Sequence, residues 1–291
     1  MSHLKRAAMP AFWPAARKGL HYVIHPTPGP HPIRDSVPLR VVIRDFFRYA
    51  GTAKEADRAI KQGMITVDGK PRKDPGFPVG LMDSVELAGM PKAYRLVPDA
   101  EGFAFIEVNK SEAAKKPCKI IGKTTLKGGA SQLNLHDGRN VIAKGPYRPG
   151  DTVVIALPGQ KIEQHISFKE GEKAIVTDGK NRGAVGKIKS IRERKTMTEK
   201  ASVMLDVDGD TVTTLKGYVM VGSFPAPPVY TRRRELRKAR AKAQAEAVKE
   251  MESKKKRPAA KKTEPEAAKE KPKAEKKAKT ARKKKAAEAE A

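Results

Sequence analysis

Between residues 36 and 87 the spacing of apolar residues changes twice, and the change restricts the fold to small units that mix helix and sheet. Leu39, Val42, Ile43, Phe46, Phe47 and Ala50 recur at three- and four-residue steps, the period of a helix with one buried face. Gly51 ends the run, and Thr52-Ala53-Lys54-Glu55 reads as a capping box opening a second helix closed by Gly63. Ile65-Thr66-Val67 then reads as a strand entering an Asp68-Gly69 turn, with a further strand at Met82 to Leu87. On the polar side, Arg40, Arg44 and Arg48 lie four apart and share a helix face; Lys54, Arg58 and Lys61 repeat the pattern on the next helix. Like charges at that spacing repel, so a free helix gains nothing from them. Opposite a polyanion they become rows of phosphate contacts. A solvated helix face would carry similar residues, but two such rows in a chain of net charge +28 favour a nucleic acid.

That charge is not confined to one end. Residues 232–291 hold 24 basic and 10 acidic residues, and the preceding 231 hold 37 and 23. Both parts therefore attract polyanions. A membrane surface would satisfy the same balance, yet the chain has no apolar run of about 18 residues, no lipidation signal and no strongly apolar helix face. Cys118 is the single cysteine, so neither an intrachain disulfide nor zinc-finger spacing is possible, and the redox reading is an intracellular chain.

Taken in order, residues 1–35 form a basic arm with prolines at 10, 14, 26, 28, 30 and 32, which forbid regular structure over most of it. Phe12, Trp13 and Tyr22 stand among its cations, a mixture suited to base stacking; the competing expectation is that Trp13 pins the arm to its neighbour. His21, His25 and His31 lack the spacing of a metal site. Residues 36–92 make the helix-helix-sheet domain, and 93–168 hold short strands with Gly, Pro and Asp turns, as in a small antiparallel barrel or curled sheet. Residues 169–230 read as another small β module, whose loop 178–183 presents Lys180 and Arg182 between glycines. From 231 to 291 an Ala/Arg/Lys/Glu run, helical to about Met251, passes into a disordered basic tail. The fold class expected is α+β and multi-module.

No catalytic constellation stands out. Cys118 with His136 and Asp137 could be a thiol, base and acid, but a buried structural thiol is the simpler reading, and Asp137-Gly138 is a turn dipeptide. Walker, dinucleotide and zinc-protease motifs are missing, and Asp206, Asp208 and Asp210 around Gly209 lack the later glutamate of a calcium loop. No cofactor, metal or small-molecule substrate is expected.

Residues 53–87, AKEADRAIKQGMITVDGKPRKDPGFPVGLMDSVEL, resemble the S-four-like RNA-binding domain; Gly63, Val67, Gly69, Lys70 and Met82-Asp83 take its pattern positions, with Met82 where many members have glycine. Residues 175–191, IVTDGKNRGAVGKIKSI, resemble a KOW motif, an element of SH3-like barrels, through Gly179, Asn181, Gly183 and Gly186. The arm HLKRAAMPAFWP, then GPHPIRDSVPLR, HDGR and PGDTV, complete a likeness over roughly residues 1–230 to the small-subunit ribosomal protein four family of archaea and eukaryotes. The resemblance implies a cytoplasmic, ribosome-bound, non-catalytic protein that contacts small-subunit ribosomal RNA and neighbouring ribosomal proteins. The residues then expected on RNA are Lys5, Arg6, Trp13, Arg34, Arg40, Arg44, Arg48, Lys54, Arg58, Lys61, Lys70, Arg72, Lys73, Arg139, Lys180, Asn181 and Arg182. A nonribosomal RNA-binding factor, or the RNA handle of a modifying enzyme, is the alternative; the enzyme would need a catalytic cleft that the middle region does not offer.

Overall fold

The computed structural model describes residues 3–194, 196–207, 209–225, 227–232 and 234–236; of the tail expected at 231–291, helical and then disordered, residues 231, 232 and 234–236 are described and helical, and the remainder lies outside the described residues. In the arm, β1 (His3–Lys5) pairs antiparallel with β2 (Tyr22–Ile24). Between these strands Met9, Trp13 and Ala15 enter the same apolar core as the helices. Trp13 is 3 % exposed and its indole N–H donates to the Ser36 carbonyl at 2.9 Å. The arm is therefore held by the protein, and the Trp13 ring is closed to base stacking. Proline stops a segment from building its own ladder, but it does not stop one large ring from anchoring that segment.

β3 (Ser36–Pro38) leads into α1 (Leu39–Val41), which runs straight into a π-type turn at Val42–Phe46. The helix expected to reach Ala50 ends there, and Arg48 takes a left-handed φ of 56°. The wide turn sets Phe46 and Phe47 on Phe105, ring centroids 5.0 and 4.8 Å apart. Arg48 consequently leaves the face that holds Arg40 and Arg44. The second helix, α2 (Ala53–Lys61), keeps its expected capping box: Thr52 Oγ1 accepts from the Glu55 N–H, and the Glu55 carboxylate accepts from the Thr52 N–H. Ala56 and Ile60 are its buried face.

Then follow β4 (Ile65–Val67), β5 (Lys70–Pro71), β6 (Pro78–Gly80), β7 (Ser84–Leu87), β8 (Ala93–Asp99) and β9 (Gly102–Val108). β6 pairs with β3, and the others form a five-stranded sheet in the order β5-β4-β7-β8-β9. The expected boundary at 92/93 thus falls between two hydrogen-bonded neighbours, β7 and β8. Arg95 in β8 is buried, and its guanidinium donates to the Glu112 and Lys115 carbonyls, each at 2.6 Å.

After the single turn α3 (Lys110–Ala113), β10 (Lys115–Thr125), β11 (Ser131–Leu135), β12 (Asn140–Ala143), β13 (Thr152–Ala156) and β14 (Lys161–Ile166) form a curled sheet ordered β12-β11-β10-β13-β14. β15 (Lys173–Val176), β16 (Val185–Arg192), β17 (Ser202–Val207), β18 (Asp210–Leu215) and β19 (Val219–Val221) make a third sheet ordered β18-β17-β16-β15-β19. Met82, at a φ of 63°, occupies the left-handed turn where glycine is usual. Its side chain is fully buried with Val97, Ile175 and Met220, so it joins the first sheet to the third.

Candidate nucleic-acid interface

α2 presents Lys54, Arg58 and Lys61 outward, and with Asp57 and Gln62 they line a shallow depression of about 440 Å³. One carboxylate in that row would repel a phosphate. Asp57 is silenced from behind, because Arg40 grips it with two bonds, Nε to Oδ1 at 2.5 Å and Nη2 to Oδ2 at 2.6 Å. Arg40 therefore does not extend a phosphate row; it keeps the neighbouring row positive. Arg44 behaves likewise, forked onto Asp45 at 2.9 and 2.8 Å, and that hydrogen bond raises its pKa above the ordinary value against the opposing effect of burial.

The remaining expected contacts divide the same way. Lys5, Arg34, Arg48, Lys70, Lys73 and Lys180 are exposed. Arg6 is buried, donating from Nη1 to the Ala16 carbonyl at 2.6 Å. Arg72 lies over the Phe77 ring at 4.3 Å. Loop 178–183 turns as expected, with Gly179 and Gly183 at φ of 89° and 82°, and Asn181 is half-buried. Its Arg182, however, lies 4.1 Å from the centroid of Phe103, which ties the loop to β9. A Cβ on Gly183 would meet the Asp99 Cα at 3.1 Å, so the loop rests directly on the β8–β9 turn.

Arg139 belongs to a buried ionic cluster that charge counting did not reveal. Lys116 is 1 % exposed, and its ammonium lies 2.8 Å from Asp68, 2.5 Å from Asp83 and 3.2 Å from Asp137. Arg139 adds bonds to Asp68 at 2.6 Å and Asp137 at 3.2 Å, and His31 reaches Asp83 at 3.1 Å. Burial works against every charge here. Asp83 and Asp68 outweigh it and raise the pKa of Lys116 above the ordinary lysine range, while Lys116 and His31 hold Asp83 below the carboxylate range. The cluster joins β4–β7 to β10–β11. No sequence spacing signals it, because its members come from five separate segments.

Cys118, His136 and Asp137 do come together, their ligand atoms within 4.8 Å of one another. Each is occupied by the fold. Asp137 serves Lys116 and Arg139, and burial followed by the Asp137 charge pushes the Cys118 thiol far up, away from the nucleophilic thiolate. His136 Nδ1 accepts from the Lys119 N–H at 3.2 Å, and Nε2 donates to the Leu81 carbonyl at 3.2 Å. Both nitrogens are thus satisfied by the neutral ring, and burial with the nearby Lys116 lowers its pKa to about 4. The folded state then stays neutral where the unfolded chain takes up a proton. Stability should fall as pH drops from about 6.5 to about 4 and level off below, by roughly 1–3 kcal/mol from this residue. Urea midpoints across that range check it: His136→Gln should flatten this part of the profile, and an unchanged profile would contradict the assignment.

Comparison with known proteins follows the same outline. The "Ribosomal family S4e" profile matches residues 90–162, an "S4 domain" profile 48–85 and an "RS4NT (NUC023) domain" profile 2–34. Small ribosomal subunit protein eS4 of Methanothermobacter thermautotrophicus is 41 % identical over 220 residues, covering 75 % of this chain and 91 % of the relative. Its counterpart from Ignicoccus hospitalis is 42 % identical over 228 residues, covering 75 % and 89 %. The crystal structure of 30S ribosomal protein S4e from Thermoplasma acidophilum superposes with a TM-score of 0.57 at 29 % identity, covering 64 % of this chain and 94 % of that one. An α+β fold with an S4-like helix and sheet core, and identities of 41–42 % over nine-tenths of such relatives, place the chain in the S4e family of ribosomal proteins.

Proposed function

We propose that the chain is a structural constituent of the small ribosomal subunit, binding ribosomal RNA mainly through phosphate contacts beside neighbouring ribosomal proteins in the cytoplasm, without catalysis. The observation that carries this reading is the outward row Lys54, Arg58 and Lys61 on α2, where Asp57, the acid lining the same depression, is neutralised by Arg40. Lys5, Arg34, Arg48, Lys70, Lys73 and Lys180 are the further contacts proposed, all exposed cations. Within the fold we propose an arm at 1–35, an S-four-like unit carrying its sheet on to Val108, a small barrel-like unit to 168, a KOW-type SH3-like unit at 169–230 and a basic tail from 231. The glycine turn 178–183 between β15 and β16 supports the KOW assignment.

Filter binding of the full chain to small-subunit ribosomal RNA across a potassium chloride series tests the proposal. Each neutralised phosphate contributes a log–log slope of roughly 0.9 on duplex, so six or more contacts should give a slope steeper than about −5. Binding that ignores salt, or no binding, would overturn it.

A further inference from the structure

The ribbon of β10, β11 and β12 turns one face to solvent, and that face is unlike the rest of this basic molecule. Strand register sets two rows on it: Gly122, Asn134 and Asn140, then Thr124, Gln132 and Ile142. Alternation sends Leu133 and Leu135 to the opposite side, where they are buried with Ile120, Val153 and Ile155. The open rows therefore hold amides, a hydroxyl and a glycine, with Ile142 66 % exposed at the edge strand. Gln132 Nε2 donates to Asn134 Oδ1 at 3.1 Å, which fixes those two amides relative to each other. Among the described residues the side chains of Asn140 and Thr124 make no hydrogen bond to protein, and the spare donors and acceptors of Gln132 and Asn134 face no other side chain partner.

The charge around this face is one-sided. From 113 to 150 the sole carboxylate is Asp137, buried against Lys116 and Arg139. Lys127, Lys144 and Arg148 are exposed around the ribbon, whereas Lys123, paired with Leu133, belongs to the opposite side. The surface is thus a neutral hydrogen-bonding floor about two strand spacings wide, roughly 10 Å, with a cationic rim. A face for phosphate alone would carry its cations on the floor, and a face for a protein core would carry larger apolar side chains than one isoleucine. An A-form RNA duplex offers the complement: a wide, shallow minor groove displaying 2′-hydroxyls, bordered by phosphates. A 2′-hydroxyl both donates and accepts, as does an amide.

We infer that the open face of β10–β12 seats in the minor groove of an RNA duplex, with Asn134, Asn140, Gln132 and Thr124 on 2′-hydroxyls and base edges and the rim lysines on the flanking phosphates. This rests on the RNA-binding reading above and adds to it a surface that tells RNA from DNA.

The full chain and its Gln132→Ala/Asn134→Ala/Asn140→Ala variant are titrated with an RNA duplex and with a DNA duplex of the same sequence. The variant should lose about tenfold in RNA affinity, as expected for a few neutral hydrogen bonds, and its preference for RNA over DNA, while the salt slope stays that of the parent because no counterion release is removed. Thr124→Glu/Ile142→Glu, both at exposed positions, should lose at least as much; unchanged Trp13 emission shows that the fold is retained. Parental RNA affinity and RNA preference in both folded variants would overturn the inference while leaving the phosphate reading intact. Loss of incorporation into small-subunit particles with duplex binding unchanged would assign the face to a protein neighbour and overturn it too. A parent chain that binds neither duplex nor ribosomal RNA defeats the functional reading itself.

Discussion

Lys116→Met is expected to lower the unfolding free energy by about 3–5 kcal/mol, the range for removing one partner of a buried ion cluster. The substitution keeps most of the side-chain volume, so the loss is electrostatic. Asp68, Asp83 and Asp137 would remain buried, with Arg139 serving the first and third and His31 the second. Three carboxylates would face a space that no longer holds their shared cation. Urea unfolding followed by Trp13, the single tryptophan and a buried one, reports the change. Adding Asp83→Asn should recover about 1 kcal/mol or more, because it removes one stranded charge in a site where the two residues are coupled. A Lys116→Met chain within about 1 kcal/mol of the parent would show that the cluster does not hold the first and second sheets together.

The second large effect is on RNA. Lys54→Gln/Arg58→Gln/Lys61→Gln should reduce the magnitude of the salt slope by about 2–3 and weaken binding to small-subunit ribosomal RNA by about a hundredfold at moderate salt. All three side chains are exposed on α2, so the melting curve should barely move. Arg40 provides the contrast. Arg40→Gln releases the Asp57 carboxylate into the cation row, so it should weaken RNA binding by repulsion, and Asp57→Asn added to it should restore the affinity. Were Arg40 itself a phosphate contact, the slope would drop and Asp57→Asn would not rescue it.

What could be read from sequence were the features whose causes lie within a few residues. The capping box at Thr52 and Glu55 is one; the Asp68-Gly69 turn, at φ of 53° and 71°, is another. Loop 178–183 also turns where its glycines require. The misplaced features have causes far away along the chain. Arg40 meets Asp57 seventeen residues later, and Lys116 meets Asp68 forty-eight residues earlier, so a count of charges treats as solvated several that are internal counter-ions. The first helix ends early because Phe46 and Phe47 find Phe105, a contact no local period encodes. Trp13 was ambiguous for the same reason: its partner, the Ser36 carbonyl, belongs to another segment.

The place of β8 and β9 in the first sheet has a consequence for synthesis. A nascent chain that has emerged only as far as residue 92 carries every cation of α2, yet lacks Leu96, Phe103 and Phe105, which share a core with Ile60 and Val85. The charged surface is made first and the scaffold that stiffens it arrives some fifteen residues later, with Val108. The α2 cations are therefore expected to be firmly held only once the last strand of the sheet has been made, and a polyanion met earlier encounters helices resting on an unfinished sheet.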